Sequence, residues 1–182
     1  MKFFILSDIH GSITYAKKAL ELFEREKCDQ LILLGDVLYH GPRNPLPEGY
    51  APSEVAVLLN SYRDKILAVR GNCDSEVDQM VLEFPMMGDY QMLYMNKRKI
   101  FLTHGHLFNR DHMPKLSKGD VFIHGHFHLP ITEYENGIYY LNPGSITLPK
   151  NNAANSYAVL DEDGFYIKDL QGEIIKSLVF DK

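Results

Sequence analysis

The chain has 182 residues, 45% of them apolar and 24% charged, with a formal net charge of -5. Those values describe one globular domain spanning 1–182, long enough for a full core, and they exclude a disordered chain. The acidic balance also excludes a protein that grips nucleic acid through its general surface, though not a small phosphorylated ligand at a local positive centre.

Phe3 to Leu6 is an apolar run of strand length, ended by the polar cluster Ser7-Asp8-Ile9-His10-Gly11. Ser12 is placed to cap a helix that carries Ala16, Ala19, Leu20 and Phe23 at helical spacing. Leu31 to Leu34 is a second buried run, stopped by Gly35-Asp36. Residues 41–52 hold four prolines and two glycines and read as a loop, after which Ser53 is expected to cap a helix bearing Val55, Leu58, Leu59 and Tyr62. Ile66 to Val69 is a third strand, ended by Arg70-Gly71-Asn72-Cys73-Asp74, with a short helix from about Ser75 to Leu82. Alternating strands and helices imply a parallel sheet covered by helices.

After Pro85 the chain is strand-rich, with strands expected at 89–96, 100–103, 121–123, 131–135, 138–141, 157–160, 165–169 and 174–179. Asn136-Gly137 and Asp163-Gly164 read as hairpin turns. This half is expected to form a second sheet packed face to face with the first.

Polar residues recur at the strand ends. Asp8 and His10 follow the first strand, Asp36 the second, Asn72 the third, His104 and His106 a later one, and His126 and His128 the strand 121–123. Taken singly, Asp8 reads as a helix cap, Asn72 as a turn residue, and the alternating histidines as a solvated strand end. Together they meet only if the strand ends converge on one edge, where ligands of open α/β sheets sit. Carboxylate, amide and imidazole donors without a zinc-finger cysteine pair fit a catalytic manganese, iron, zinc, cobalt or nickel site, and affinity order alone does not choose among these. The donors suffice for two ions if one carboxylate bridges, and such a pair clamps an in-line displacement at phosphorus.

The motifs Asp8-x-His10, Gly35-Asp36, Gly71-Asn72-x-Asp74, His104 and Gly125-His126-x-His128 stand in the order found in the calcineurin-like metallophosphoesterases, which the chain resembles from residue 8 to 128. The runs 33–52 and 69–80 resemble in particular the small bacterial phosphodiesterases of the YfcE type. The resemblance implies an α/β (α+β) fold, a four-layer αββα sandwich of two packed mixed β-sheets flanked by helices. It implies two divalent ions, manganese foremost: Asp8, His10 and His128 on one, Asn72, His104 and His126 on the other, Asp36 bridging. The reaction implied is hydrolysis of a small phosphodiester by a metal-bridging hydroxide, with Asp36, Asn72 and His104 as the catalytic group. A phosphomonoesterase, or a non-catalytic scaffold like the retromer coat subunit of this fold, is the alternative.

One position departs from many family members. Cys73 stands where a histidine often follows Gly-Asn, and thiol is less suited than imidazole to giving up a proton near neutral pH. Diesters with good leaving groups are therefore expected to be favoured, while a packed Cys73 without a chemical role is an equal reading. His40 and Arg43 could reach substrate phosphate or simply order their loop. His106 is expected beside the ligands, facing substrate or supporting them, and His124 is expected to be packed and hydrogen-bonded. Asn142-Pro143-Gly144-Ser145 resembles a family motif near the site or is a plain strand-ending turn. Two cysteines, Cys28 and Cys73, make no disulfide scaffold, residues 1–7 are too short for a signal peptide, and no apolar run approaches a membrane span. A soluble cytoplasmic protein without membrane partners is the expectation, and a homo-oligomer stays open.

Overall fold

The structure, a computed structural model, describes residues 1–181. Its first strand, β1 (Phe3–Leu6), is buried at all four positions because both faces are covered. Phe4 and Leu6 point into a core shared with helices, while Phe3 and Ile5 point into a second core between two sheets. The parallel neighbour β2 (Gln30–Leu33) divides in the same way, Leu31 and Leu33 to one side and Ile32 to the other. Strands buried on both faces lose polar–apolar alternation and read as continuous apolar runs.

The first sheet has the order β11-β10-β9-β1-β2-β3, with β3 (Ile66–Ala68) parallel to β2. β9 (Ser156–Leu160) pairs antiparallel with β1, and β10 (Gly164–Asp169) and β11 (Ile174–Val179) continue as a meander. This corrects the expectation that the whole C-terminal half builds the second sheet. The chain returns after residue 150 to the open edge of β1, which would otherwise leave buried backbone groups unpaired. The second sheet has the order β4-β5-β6-β8-β7. In it β5 (Arg98–Thr103), β6 (Val121–Ile123) and β8 (Ile138–Pro143) are parallel, and β4 (Tyr90–Met95) and β7 (Pro130–Glu135) close the edges antiparallel.

The two mixed sheets of the expected sandwich pack face to face through Ile5, Ile32, Leu102, Ile123 and Leu141. Helices α1 (Ile13–Glu26) and α2 (Pro52–Asn60) lie on the outer side of the first sheet, and the short α3 (Glu76–Val81), which buries no residue, is tied to the end of α2 by Asn60 Nδ2 donating to Val81 O. Over the second sheet the outer layer is irregular chain, residues 104–120, whose Phe108, Met113 and Leu116 cover Phe101, Phe122 and Ile138.

Local chemistry sets the ends of these elements. Ser12 caps α1, its hydroxyl accepting from the Tyr15 N–H at 3.3 Å. The expected Ser53 cap is not formed. α2 begins two residues earlier, at Pro52 with Ala51 in the cap position, because a proline at the first helical position sacrifices no hydrogen bond. Ser75 and Asp78 make a reciprocal capping box on α3. Asn136-Gly137 turns β7 into β8 with φ of 52° and 82°. At the other hairpin Gly164 belongs to β10, and the turn is held by Asp161, whose carboxylate accepts from Asp163 N and Gly164 N.

Candidate metal centre

In both sheets the parallel strands end at the same level. Leu6 lies opposite Leu33 and Leu33 opposite Ala68 in one sheet; Leu102 lies opposite Ile123 and Ile123 opposite Leu141 in the other. The segments that follow therefore emerge side by side. Beyond the strands they stay zipped: Asp8 N donates to Gly35 O, His10 N to Asp36 O, and Gly125 N to His104 O. His126 N donates across the sheets to Asp8 Oδ2 at 3.2 Å.

Five of the expected ligand positions have left-handed backbones: Asp8, His10, Asp36, His126 and His128, with φ between 52° and 66°. Each such non-glycine residue costs roughly 1 kcal/mol. The strain is localised where a strand must turn and present its side chain inward. Glycines carry no strain at two neighbouring points but leave room. A Cβ on Gly71 would stand 2.1 Å from Asp36 Oδ1, and one on Gly125 would stand 1.8 Å from Ser7 Oγ.

The seven side chains meet as two groups. Asp8 Oδ1 lies 3.2 Å from His128 Nε2 and 3.8 Å from His10 Nε2, and those two ring nitrogens are 3.4 Å apart. In the second group His104 Nε2 lies 3.0 Å from Asn72 Oδ1 and 3.2 Å from His126 Nδ1. Asp36 Oδ2 stands between them, 3.7 Å from His10 Nε2 and 3.5 Å from His104 Nε2.

The surroundings decide which atoms face the centre. The Nδ1–H groups of His10, His104 and His128 donate to the carbonyls of Tyr39, Leu34 and Leu148 at 2.9, 2.6 and 2.5 Å. A carbonyl only accepts, so in each neutral ring Nε2 is left as a lone pair aimed inward. Ser7 Oγ donates to Asp8 Oδ2 at 2.5 Å, and Cys73 N donates to Asp36 Oδ1 at 2.8 Å. Asp74 accepts from Asp36 N, Val37 N and Gly71 N at 2.7 to 2.8 Å, holding the Asp36 turn from behind. Asn142 and Ser145 tie Gly125 O and Asp8 O, so the Asn-Pro-Gly-Ser turn fastens both sheets to the site.

Asp8 Oδ1 is buried and accepts no hydrogen bond. A buried carboxylate oxygen facing two imidazole lone pairs is unfavourable without a cation among them. Without an ion, protons take that place. Burial raises the Asp8 carboxyl, but the imidazoles around it, His128 first, outweigh this and draw it well below the carboxylate range. Burial lowers His104, yet Asp36 and Asp8 beside it raise it to about 9. Burial and the Asp36 charge push Asp74 up to about 6. The donor set, its inward lone pairs and its orphaned oxygen all fit divalent metal.

A calcineurin-like phosphoesterase superfamily domain matches residues 1–164. The chain belongs to that family. It is 51% identical over 163 residues to phosphodiesterase YfcE of Escherichia coli K12, covering 90% of this chain and 89% of that protein. A solved structure of YfcE, a phosphoesterase from E. coli, matches with a TM-score of 0.97 at 47% identity over 100% of both chains. Vacuolar protein sorting 29 from Cryptosporidium parvum matches with a TM-score of 0.64 at 21% identity, over 100% of this chain and 98% of that one, a likeness of fold alone.

A cavity of about 430 Å³ opens over the centre, lined by Asp36, Asn72, His126 and His128 together with Cys73, Arg43, Asn44 and Lys150. Burial and the charge of Asp36 push the Cys73 thiol up to about 12. His40 is set apart from that lining, its ring packed edge-on against Tyr39 and Tyr50. His106 stacks edge-on against His104 and lines a neighbouring cavity. His124 is buried, its Nδ1 within 3.1 Å of Gly125 O and 3.2 Å of Asn142 Nδ2. Sequence reasoning missed Ser7, Asn44 and Lys150, which carry no motif, and the supporting role of Asp74, which stands inside the Gly-Asn-x-Asp motif.

Proposed function

We propose that this protein is a metal-dependent phosphodiesterase acting on small phosphate diesters. It uses two divalent ions, manganese foremost, held by Asp8, His10 and His128 on one side and Asn72, His104 and His126 on the other, with Asp36 shared. The observation that carries the reading is the position of Asp36 Oδ2 between His10 Nε2 and His104 Nε2. The 51% identity to phosphodiesterase YfcE supports the substrate class. The free thiols of Cys28 and Cys73 accord with a reducing, cytoplasmic setting.

Divalent ions bound there supply an activated water and neutralise charge developing on phosphorus. The protein's own part is to hold the donors still. Three imidazoles are locked by their carbonyl acceptors, and Asp36 is fixed through Oδ1 by Cys73 N, which leaves Oδ2 to the centre. Asn72 turns its amide nitrogen to Cys73 Sγ at 3.2 Å and its oxygen inward. Arg43 and Lys150 present positive charge to an anionic substrate in the cavity. A thiol raised to about 12 is a weak proton donor, so the leaving alkoxide or phenoxide departs without help from Cys73.

Hydrolysis of bis(p-nitrophenyl) phosphate with added manganese tests the reading. Asp36→Asn and His126→Ala are expected to lower kcat/KM by on the order of a hundredfold or more. A wild-type protein without metal-dependent activity would overturn the enzyme in favour of the scaffold.

A further inference from the structure

Resting on the phosphodiesterase reading, the geometry points to an asymmetric diester whose two ester arms lie on opposite sides of a wall formed by Phe127. A second cavity, of about 520 Å³, adjoins the one over the metal centre. The two share His126, Phe127 and Leu129 as their common boundary. Phe127 stands between the ligands His126 and His128, is 43% exposed, and rests edge-on against the rings of His126 and His124 at 5.2 and 5.6 Å. A phosphate at the centre therefore has a cavity on each side of this ring, each within the usual size range for a small-molecule arm.

The two cavities differ in charge. On the Asp36 side, Arg43 and Lys150 line the wall and make no ion pair among the described residues. On the His106 side the one cation among the described residues, Arg110, is already paired with Glu133 and Glu135 and lies over the Tyr140 ring at 4.6 Å. The rest of that wall includes Phe127, Leu129 and Ile131, with Asn109 and the Asp111 carboxylate, which repels an anionic arm, beside them. A second anionic group is thus recognised on the Arg43–Lys150 side, by charges with no competing partner. An uncharged, flat or apolar arm fits the other side, against the Phe127 face. The substrate class is a phosphodiester with one arm bearing a carboxylate or further phosphate and the other uncharged.

The test uses the manganese-loaded protein and two chromogenic substrates with the same leaving group. These are the mixed phosphodiester of p-nitrophenol and glycolate, and its glycolamide counterpart. The wild type is expected to favour the carboxylate by roughly fivefold in kcat/KM, the scale of a partly exposed charge pair. The Arg43→Gln, Lys150→Gln double variant should bring the ratio near one. Phe127→Ala should raise KM for both substrates and leave their ratio in place. All three side chains are exposed, and circular dichroism checks that each variant folds. A wild-type ratio near one, a ratio that survives the double variant, or an unmoved KM in Phe127→Ala overturns the two-arm assignment while the phosphodiesterase reading stands. No turnover of either substrate or of bis(p-nitrophenyl) phosphate overturns both.

Discussion

His10 Nε2 and His128 Nε2 face each other at 3.4 Å although 118 residues separate them in the chain. Both rings have committed Nδ1–H to a backbone carbonyl, so in their neutral forms two lone pairs meet beside the unpaired Asp8 oxygen. That arrangement is stable only with positive charge in it, from protons or from metal.

Protons and metal should therefore compete. In the metal-free protein His104 is raised to about 9, and His128 is raised as well, because Asp8 outweighs the lowering effect of burial. Below those values the rings hold protons that metal must displace, so affinity falls as pH falls and binding near neutrality releases protons. Manganese titration calorimetry at several pH values, in buffers of different ionisation enthalpy, measures both. Affinity independent of pH between 6 and about 9 would count against the assigned donors.

Asp74 holds three backbone N–H groups behind the Asp36 carboxylate. Asp74→Ala leaves those donors buried without partners, at a cost of about 3 kcal/mol or more, and releases the Asp36 turn. Thermal unfolding should show a clearly lowered Tm, and manganese affinity should drop by on the order of tenfold or more. Unchanged metal affinity in a folded variant would mean that Asp74 supports the loop alone.

Cys73 offers a thiol raised to about 12 at the edge of the cavity over the centre. Cys73→His places there a group that titrates near neutrality and is able to protonate a poor leaving group. Monoester relative to diester turnover should rise, most clearly for alkyl leaving groups. A constant ratio would show that position 73 serves only through its backbone N–H to Asp36.

Far from the centre, Glu26 accepts from Lys168 Nζ at 2.7 Å and Tyr157 OH at 2.9 Å, pinning α1 to β9 and β10. Burial raises this carboxyl, but Lys168, Tyr157 and Lys2 more than offset it and hold it below the ordinary glutamate value. Its contribution to stability is present above that ordinary value and is lost as pH falls through the lowered one. Glu26→Gln should be less stable than wild type at pH 7 in urea unfolding, with the gap closing toward acid pH. A gap that widens in acid would reverse the assignment.

The local pattern alone determined the alternating βα order of the first half, the Asn136-Gly137 turn, the Ser12 cap and the residues standing at each strand end. These follow from nearest-neighbour chemistry: apolar runs, caps and turn residues act within a few positions of one another. The motif order was legible too, since Asp8, Asp36, Asn72, His104 and His126 each close a strand. Tertiary structure decided the rest. The return of β9 to the edge of β1 depends on which unpaired strand edge is nearest, a fact about distant partners. So do the carbonyls of Tyr39, Leu34 and Leu148, which choose the inward-facing nitrogen of three histidines. Every residue has a carbonyl, and only folding determines which one an imidazole meets.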